Sequence, residues 1–186
     1  MPDFIELRTI LTIFHLLGVV IGMGAAFMTD MMFIKSTKDK IINEKEISFI
    51  ALGSRMVWIG LFLIIISGIS LFALSPEEYL NSSKFLAKMV IVAILTINGI
   101  FFHFKHLPFL RKNLNQDLTK SENFRNNSMT LFISGGISSI SWLSALTLGI
   151  FRSIPYGLET ILGVYFIILF GAILFSLIFR KIFLRQ

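Results

Sequence analysis

Five apolar runs, separated by short polar stretches, constrain this chain more than any other feature of its sequence. They fall at roughly residues 9–34, 47–74, 85–106, 129–151 and 158–179. Each reaches the ~20 residues a helix needs to cross a hydrocarbon core of about 30 Å. Lipid offers no partner for unpaired backbone groups, and the runs lack the two-residue alternation of a barrel strand, so helices are the expected form. Composition agrees: 55% of the 186 residues are hydrophobic and 15% charged, against about 25% charged in a soluble domain. That apolar surplus could not be hidden in one small core. The expected fold is an all-α integral membrane protein, one domain (1–186) built as a bundle of five transmembrane helices.

The runs end where helix-stopping residues stand: Ser75-Pro76-Glu77-Glu78, Leu107-Pro108, Pro155 with Gly157, and Arg180-Lys181. The opening residues, Met1 to Arg8, lack a basic n-region and no A-x-A-like site closes the first run. It is therefore expected to be a retained helix and not a cleaved signal.

Lys and Arg near the span ends set the expected orientation. Arg8, Lys84, Lys88 and Arg152 fall on the N-terminal side. The other thirteen of the 17, among them Lys35, Lys38, Lys40 and Lys45, fall on the opposite side. That side is expected to be cytoplasmic, with the N-terminus outside and the C-terminus inside. Residues 35–46 and 107–128 then form cytoplasmic loops, the second solvated and partly helical. The net charge of +6 follows from this loop placement, so nucleic acid is not the expected partner. The expected partner is the bilayer, and a homo-oligomer is compatible with such a chain.

With no cysteine in the chain, disulfides, thiolate-held iron–sulfur clusters, c-type haem attachment and Cys-ligated zinc are excluded. There is no internal repeat of the kind inverted-repeat transporters carry. No nucleotide-binding loop, nucleophile elbow, zincin motif or paired catalytic carboxylates are found.

Small residues line two spans. Gly18, Gly22 and Ala26 recur at spacing four in the first, and Ser134, Gly135, Gly136, Ser138, Ser139, Ser141, Ser144 and Ala145 crowd the fourth. Close helix packing is the simpler meaning; room for a flat ligand is the alternative.

Ionisable residues inside a span are costly, so each is a candidate for function. At ~1.5 Å per residue, His15 and Lys88 lie at one level toward the outside, with Trp142 nearer the midplane. Toward the inside lie Asp30, Arg55, His103 and His106. Asp30 and Arg55 carry opposite charges at similar depth, which predicts a structural ion pair. His103 and His106 are three apart, which predicts a shared helix face, with His106 an interfacial residue. The helical repeat groups His15 with Thr12, Gly22, Ala26, Thr29 and Asp30 on a small, polar stripe facing the bundle. There it is either a neutral histidine bonded to a span-four serine or a ligand or proton carrier.

Haem b in helix bundles is commonly held by histidine. His15 and His103 are about 19 Å apart along the membrane normal, too far to clasp one iron. Three histidines cannot supply two bis-histidine haems. One haem on His15 is chemically allowed, with the second position open or taken by neutral Lys88. A copper route through Met28, Met31 and Met32 is the metal-transport rival; core filling is the more ordinary use of methionine.

Two stretches carry a family resemblance: His15-Leu16-Leu17-Gly18-Val19-Val20-Ile21-Gly22 and Leu86-Ala87-Lys88-Met89. Over roughly residues 10–112 the chain resembles the HemJ-type protoporphyrinogen oxidases and the CopD-like proteins, small membrane proteins of bacteria. The resemblance implies an inner (cytoplasmic) membrane location and a functional pair at His15 and Lys88. It also implies a haem- or porphyrin-linked oxidoreductase, with a quinone or respiratory-chain component as partner. Leu86 departs from the family, which tends to have histidine there. His103 and His106 match its histidine-rich third span loosely, and spans four and five match little.

Two readings therefore leave the sequence. One is a haem b- or porphyrin-associated redox protein using His15 and Lys88, with Trp142 and His103 near the cofactor. The other is a non-enzymatic small transporter or structural subunit with no cofactor. Orientation is testable under either. A reporter active only in the cytoplasm should work when fused after Gln186, and a reporter active only outside should stay silent there.

Overall fold

The computed structural model describes residues 2–185. Lys38, one of the basic residues weighed above, has its side chain outside the described residues. The elements run α1 (Pro2–Asp39), α2 (Glu44–Leu74), α3 (Pro76–Leu80), α4 (Ser83–Phe101), a π-helical turn (Phe102–His106), α5 (Leu107–Lys112), α6 (Glu122–Asn127), α7 (Met129–Ile150) and α8 (Leu158–Phe183). Among the described residues there is no strand, only an isolated bridge between Ile41 and Asp117. Five stretches are long and apolar enough to cross a membrane: Ile5–Ser36, Glu44–Leu74, Ser83–Lys112, Met129–Ile150 and Leu158–Phe183. The chain is an all-α membrane bundle.

The helices outrun the apolar blocks at several ends, because capping and not hydropathy decides where they stop. Lys40 turns left-handed at φ 61° just past α1, the usual way a helix closes. Asn43 opens α2 with a capping box: its side chain accepts from the Glu46 N–H at 3.0 Å, and Glu46 accepts from the Asn43 N–H at 3.1 Å. The third crossing is continuous from α4 through the π turn into α5.

That turn overturns the expectation that His103 and His106 share a face. A π turn widens the helix, so His103 and His106 take different surroundings. His103 reaches Ser54 of α2. His106 is buried against the edge of Phe102, ring centroids 6.1 Å apart.

The tightest contact in the bundle joins α1 to α2. A Cβ built on Gly60 would meet the Gly22 nitrogen at 2.5 Å and the Gly18 carbonyl oxygen at 2.7 Å. One built on Gly22 would meet the Trp142 ring of α7 at 2.5 Å. The backbones touch because no side chain stands between them. Gly136 of α7 plays the same part against Ala172 and Ser176 of α8. Around these contacts Leu61, Ile64, Ala87, Ile91, Leu95 and Trp142 form a core.

A second core closes the inner end, with Ile42, Ile50, Leu110, Leu118, Phe124 and Phe132. The second loop, partly helical through α6 and with most of its polar side chains exposed, packs its apolar residues here. Its backbone bonds the first inner loop, Asn115 N–H to the Ile42 carbonyl at 2.9 Å and Leu118 N–H to the Lys40 carbonyl at 2.8 Å. Buried Asn113 donates to the Phe109 carbonyl and accepts from Ser121 Oγ at 3.0 Å. At the outer end Arg8 pairs with Glu78 at 3.3 Å, and Lys84 donates to the Phe151 carbonyl at 2.7 Å.

The glycine seam yields a paired test. Gly60→Ala should destabilise the protein by about 1–3 kcal/mol, the usual cost of forcing atoms into a filled space. Gly24→Ala, whose added carbon meets nothing within 4 Å, should be close to neutral. Unfolding titrations of both variants in mixed micelles measure the difference.

Candidate functional site

The polar side chains of the spans collect in two places, at different depths. The outer one centres on His15. Its Nδ1 lies 3.0 Å from Ser67 Oγ of α2, and the ring rests against Gly68. A serine hydroxyl has one proton to give. Ser67 gives it to the Leu63 carbonyl at 2.5 Å. Its oxygen then serves as acceptor in the tautomer with the hydrogen on His15 Nδ1, the form that presents the Nε2 lone pair, and the Ile64 carbonyl is a further backbone partner of the ring. Anchoring one ring nitrogen while the other stays available is how ligating histidines are oriented.

The serine is on span two, not on span four as expected. Ser67 is the single hydroxyl within the apolar stretch Ile59–Gly68, and that isolation is the signal for it. Lys88 is half-buried at the start of the third crossing, with its Nζ beside Gly149. It is near enough to His15 for the two groups to interact electrostatically. Among the described residues its Nζ makes no hydrogen bond or ion pair.

Trp142 and His103 are not there. Trp142 packs on Gly22, about 10 Å further along α1 than His15. It is 1% exposed, with no free face for a flat ligand at the His15 level. His103 Nδ1 lies 3.3 Å from Ser54 Oγ on the inner side.

The inner place centres on Asp30. Its Oδ2 accepts from Ser139 Oγ of α7 at 2.9 Å. Asp30 and Arg55 do not form the expected ion pair: the ion pairs among the described residues are Arg8–Glu78 and Lys120–Asp117. Arg55 is exposed while its neighbour Ser54 is buried; successive residues of a helix point about 100° apart, so equal depth did not mean a shared face. Beside Asp30, Asn98 and Ser134 bond reciprocally. Asn98 Nδ2 donates to the Ser134 carbonyl at 3.0 Å, and Ser134 Oγ donates to Asn98 Oδ1 at 2.8 Å. A cavity of about 50 Å³ lies among these groups, lined by Asp30, Thr29, Ser54, Asn98, Ser134 and Ser138 and by both tryptophans, Trp58 and Trp142.

A larger groove of about 860 Å³ runs between α7 and α8 toward the outer end, mostly apolar, with Tyr156, Thr160 and Tyr165 on its wall. His15 lines neither space. Among the described residues no three His, Asp or Glu side chains converge as a metal cage. Met28 and Met31 are turned outward, 53% and 65% exposed, so the methionines at the inner end of α1 do not converge on a copper site.

No family model, curated protein or solved structure matches this chain.

The reassignment of Asp30 can be measured by double-mutant cycles of stability. Asp30 with Arg55 should give a coupling within about 0.5 kcal/mol of zero. Asp30 with Ser139 should couple by about 0.6–1.7 kcal/mol, the range seen for hydrogen bonds between helices in a membrane.

Proposed function

We propose that this membrane protein binds haem b or a related porphyrin at His15 and serves a redox role, with Lys88 as the neighbouring functional group. The observation that carries this reading is the setting of His15: its Nδ1 is held 3.0 Å from Ser67 Oγ, an anchoring that would present Nε2 to a ligand. The likeness of residues 10–112 to the HemJ-type and CopD-like proteins points the same way. His15 would hold such a group through one ring nitrogen. Lys88 Nζ, without a hydrogen-bond partner among the described residues, suits a second ligand or a proton donor at the same level.

The fit is to donor chemistry and not to an enclosed slot. A porphyrin is far larger than the cavity of about 50 Å³ beside Trp142. His15 itself is half-exposed, so its open edge is the side from which a planar ligand would reach it. Bound there, haem would supply one-electron chemistry. The chain's own part would be to orient the imidazole through Ser67, to offer His15 Nε2 to the bound group, and to set the local charge through Lys88. The apolar groove between α7 and α8, with its tyrosine and threonine wall, suits a quinone-like electron partner. The bilayer in question, by the resemblance, is the cytoplasmic membrane of a bacterium.

Absorption spectra of the purified protein, oxidised and dithionite-reduced, test this reading. The wild type should show a Soret band and reduced b-type peaks, His15→Ala should lose them, and Ser67→Ala should keep the haem with a changed potential. A protein that stays colourless after supplementation with haem, and leaves the fluorescence of added protoporphyrin unchanged, would overturn the reading. His15 and Lys88 would then be packing or transport residues of a protein without a cofactor.

A further inference from the structure

The space beside Asp30 has no part in the His15 chemistry, and three observations there belong together. Asp30, on a membrane-spanning segment, accepts one hydrogen bond, from Ser139, and makes no ion pair among the described residues. The Trp142 indole N–H is buried and reaches no acceptor among the described residues. Both side chains line one cavity of about 50 Å³, more than the ~30 Å³ that a water molecule occupies in the liquid.

Each group lacks what a water supplies. A buried N–H needs an acceptor, and a carboxyl with one donor has room for more. A water held between them accepts from the indole and donates to Asp30. An ionised carboxylate without a paired cation is costly within the membrane, whereas a protonated one needs only an acceptor such as that water. We infer that Asp30 is a proton-binding site inside the membrane, hydrated through this cavity. In the uptake step an O–H bond forms on a carboxylate oxygen as a hydronium O–H bond breaks, leaving neutral carboxylic acid and water.

The neighbouring elements bring little competing charge. On α2, Arg55 is exposed and unpaired with Asp30. The π turn brings His103, one step away through Ser54. The lysines of α4 lie in its outer half, and α7 carries no charged residue. A monovalent cation is the rival occupant, since the carboxylate, serine and threonine oxygens would suit one. The buried, unpartnered indole N–H of a lining residue weighs against it: a donor beside a cation is repelled, while a water accepts from it.

Trp58 and Trp142 are the only tryptophans and both line the cavity, so emission from the full-length protein in nanodiscs reports on it. Titrated between about pH 4 and pH 9, a window spanning ordinary and buried carboxyls, the wild type should show a transition that Asp30→Asn abolishes and His103→Gln leaves in place. Infrared spectra should contain a protonated-carboxyl C=O band that Asp30→Asn removes. Should Asp30→Asn fail to fold, Ser139→Ala, which deletes the carboxyl's protein donor, should displace the midpoint and shift that band. Flat emission with no such band, or a transition that persists in Asp30→Asn, would overturn the inference. So would a response to Na⁺ replacing choline at fixed pH and ionic strength, which would make the site a cation site.

Discussion

Two backbones meet without side chains between them where Gly60 of α2 lies against Gly18 and Gly22 of α1. In lipid, apolar side chains gain nothing by leaving one oily neighbour for another, so close packing and interhelical hydrogen bonds hold helices together. The seam satisfies the first condition and sets up the second. It fixes the rotation of α1, and that rotation carries His15 to Ser67 and Asp30 to Ser139. Trp142, seated on Gly22, ties the same stripe of α1 to α7. A bulkier residue on the seam would therefore disturb packing, both polar centres and the cavity together.

The polar groups follow one rule at both depths. Every helix that brings a costly side chain into the membrane also meets a helix that can answer it. Serines on α2 and α7 answer His15, His103, Asp30 and Asn98, and Tyr165 of α8 bonds Ser141 at 2.8 Å. Hydroxyls suit this work because they serve as donor and acceptor at once and occupy little space. Lys88 Nζ and the Trp142 indole N–H have no hydrogen-bond acceptor among the described residues. They mark the outer and inner centres, and the functional proposals rest on what would complete them.

Hydropathy made the five crossings legible because lipid leaves a chain few choices, and depth counting brought His15 and Lys88 to one level. Depth says nothing of rotation, so Asp30 and Arg55, matched in depth and charge, face different ways. The π turn was hidden because no residue in Phe102–His106 announces it, and it separated His103 from His106. The fold of the inner loop lay in sight as Leu107, Leu110, Leu114, Leu118 and Phe124, an apolar series masked by the asparagines among it. Which serine answers which partner depends on helix pairing, and that pairing is a tertiary fact with no local signature.

The account stands on the inward rotation of α7, with Trp142 sealed against α1. Quenching by brominated acyl chains measures this directly in a Trp58→Phe variant, which leaves Trp142 as the single tryptophan. At 1% exposure, Trp142 should keep nearly all of its emission at every bromine depth. Strong quenching at any depth would put the indole in contact with lipid, contradicting the glycine seam and the two polar centres built on it.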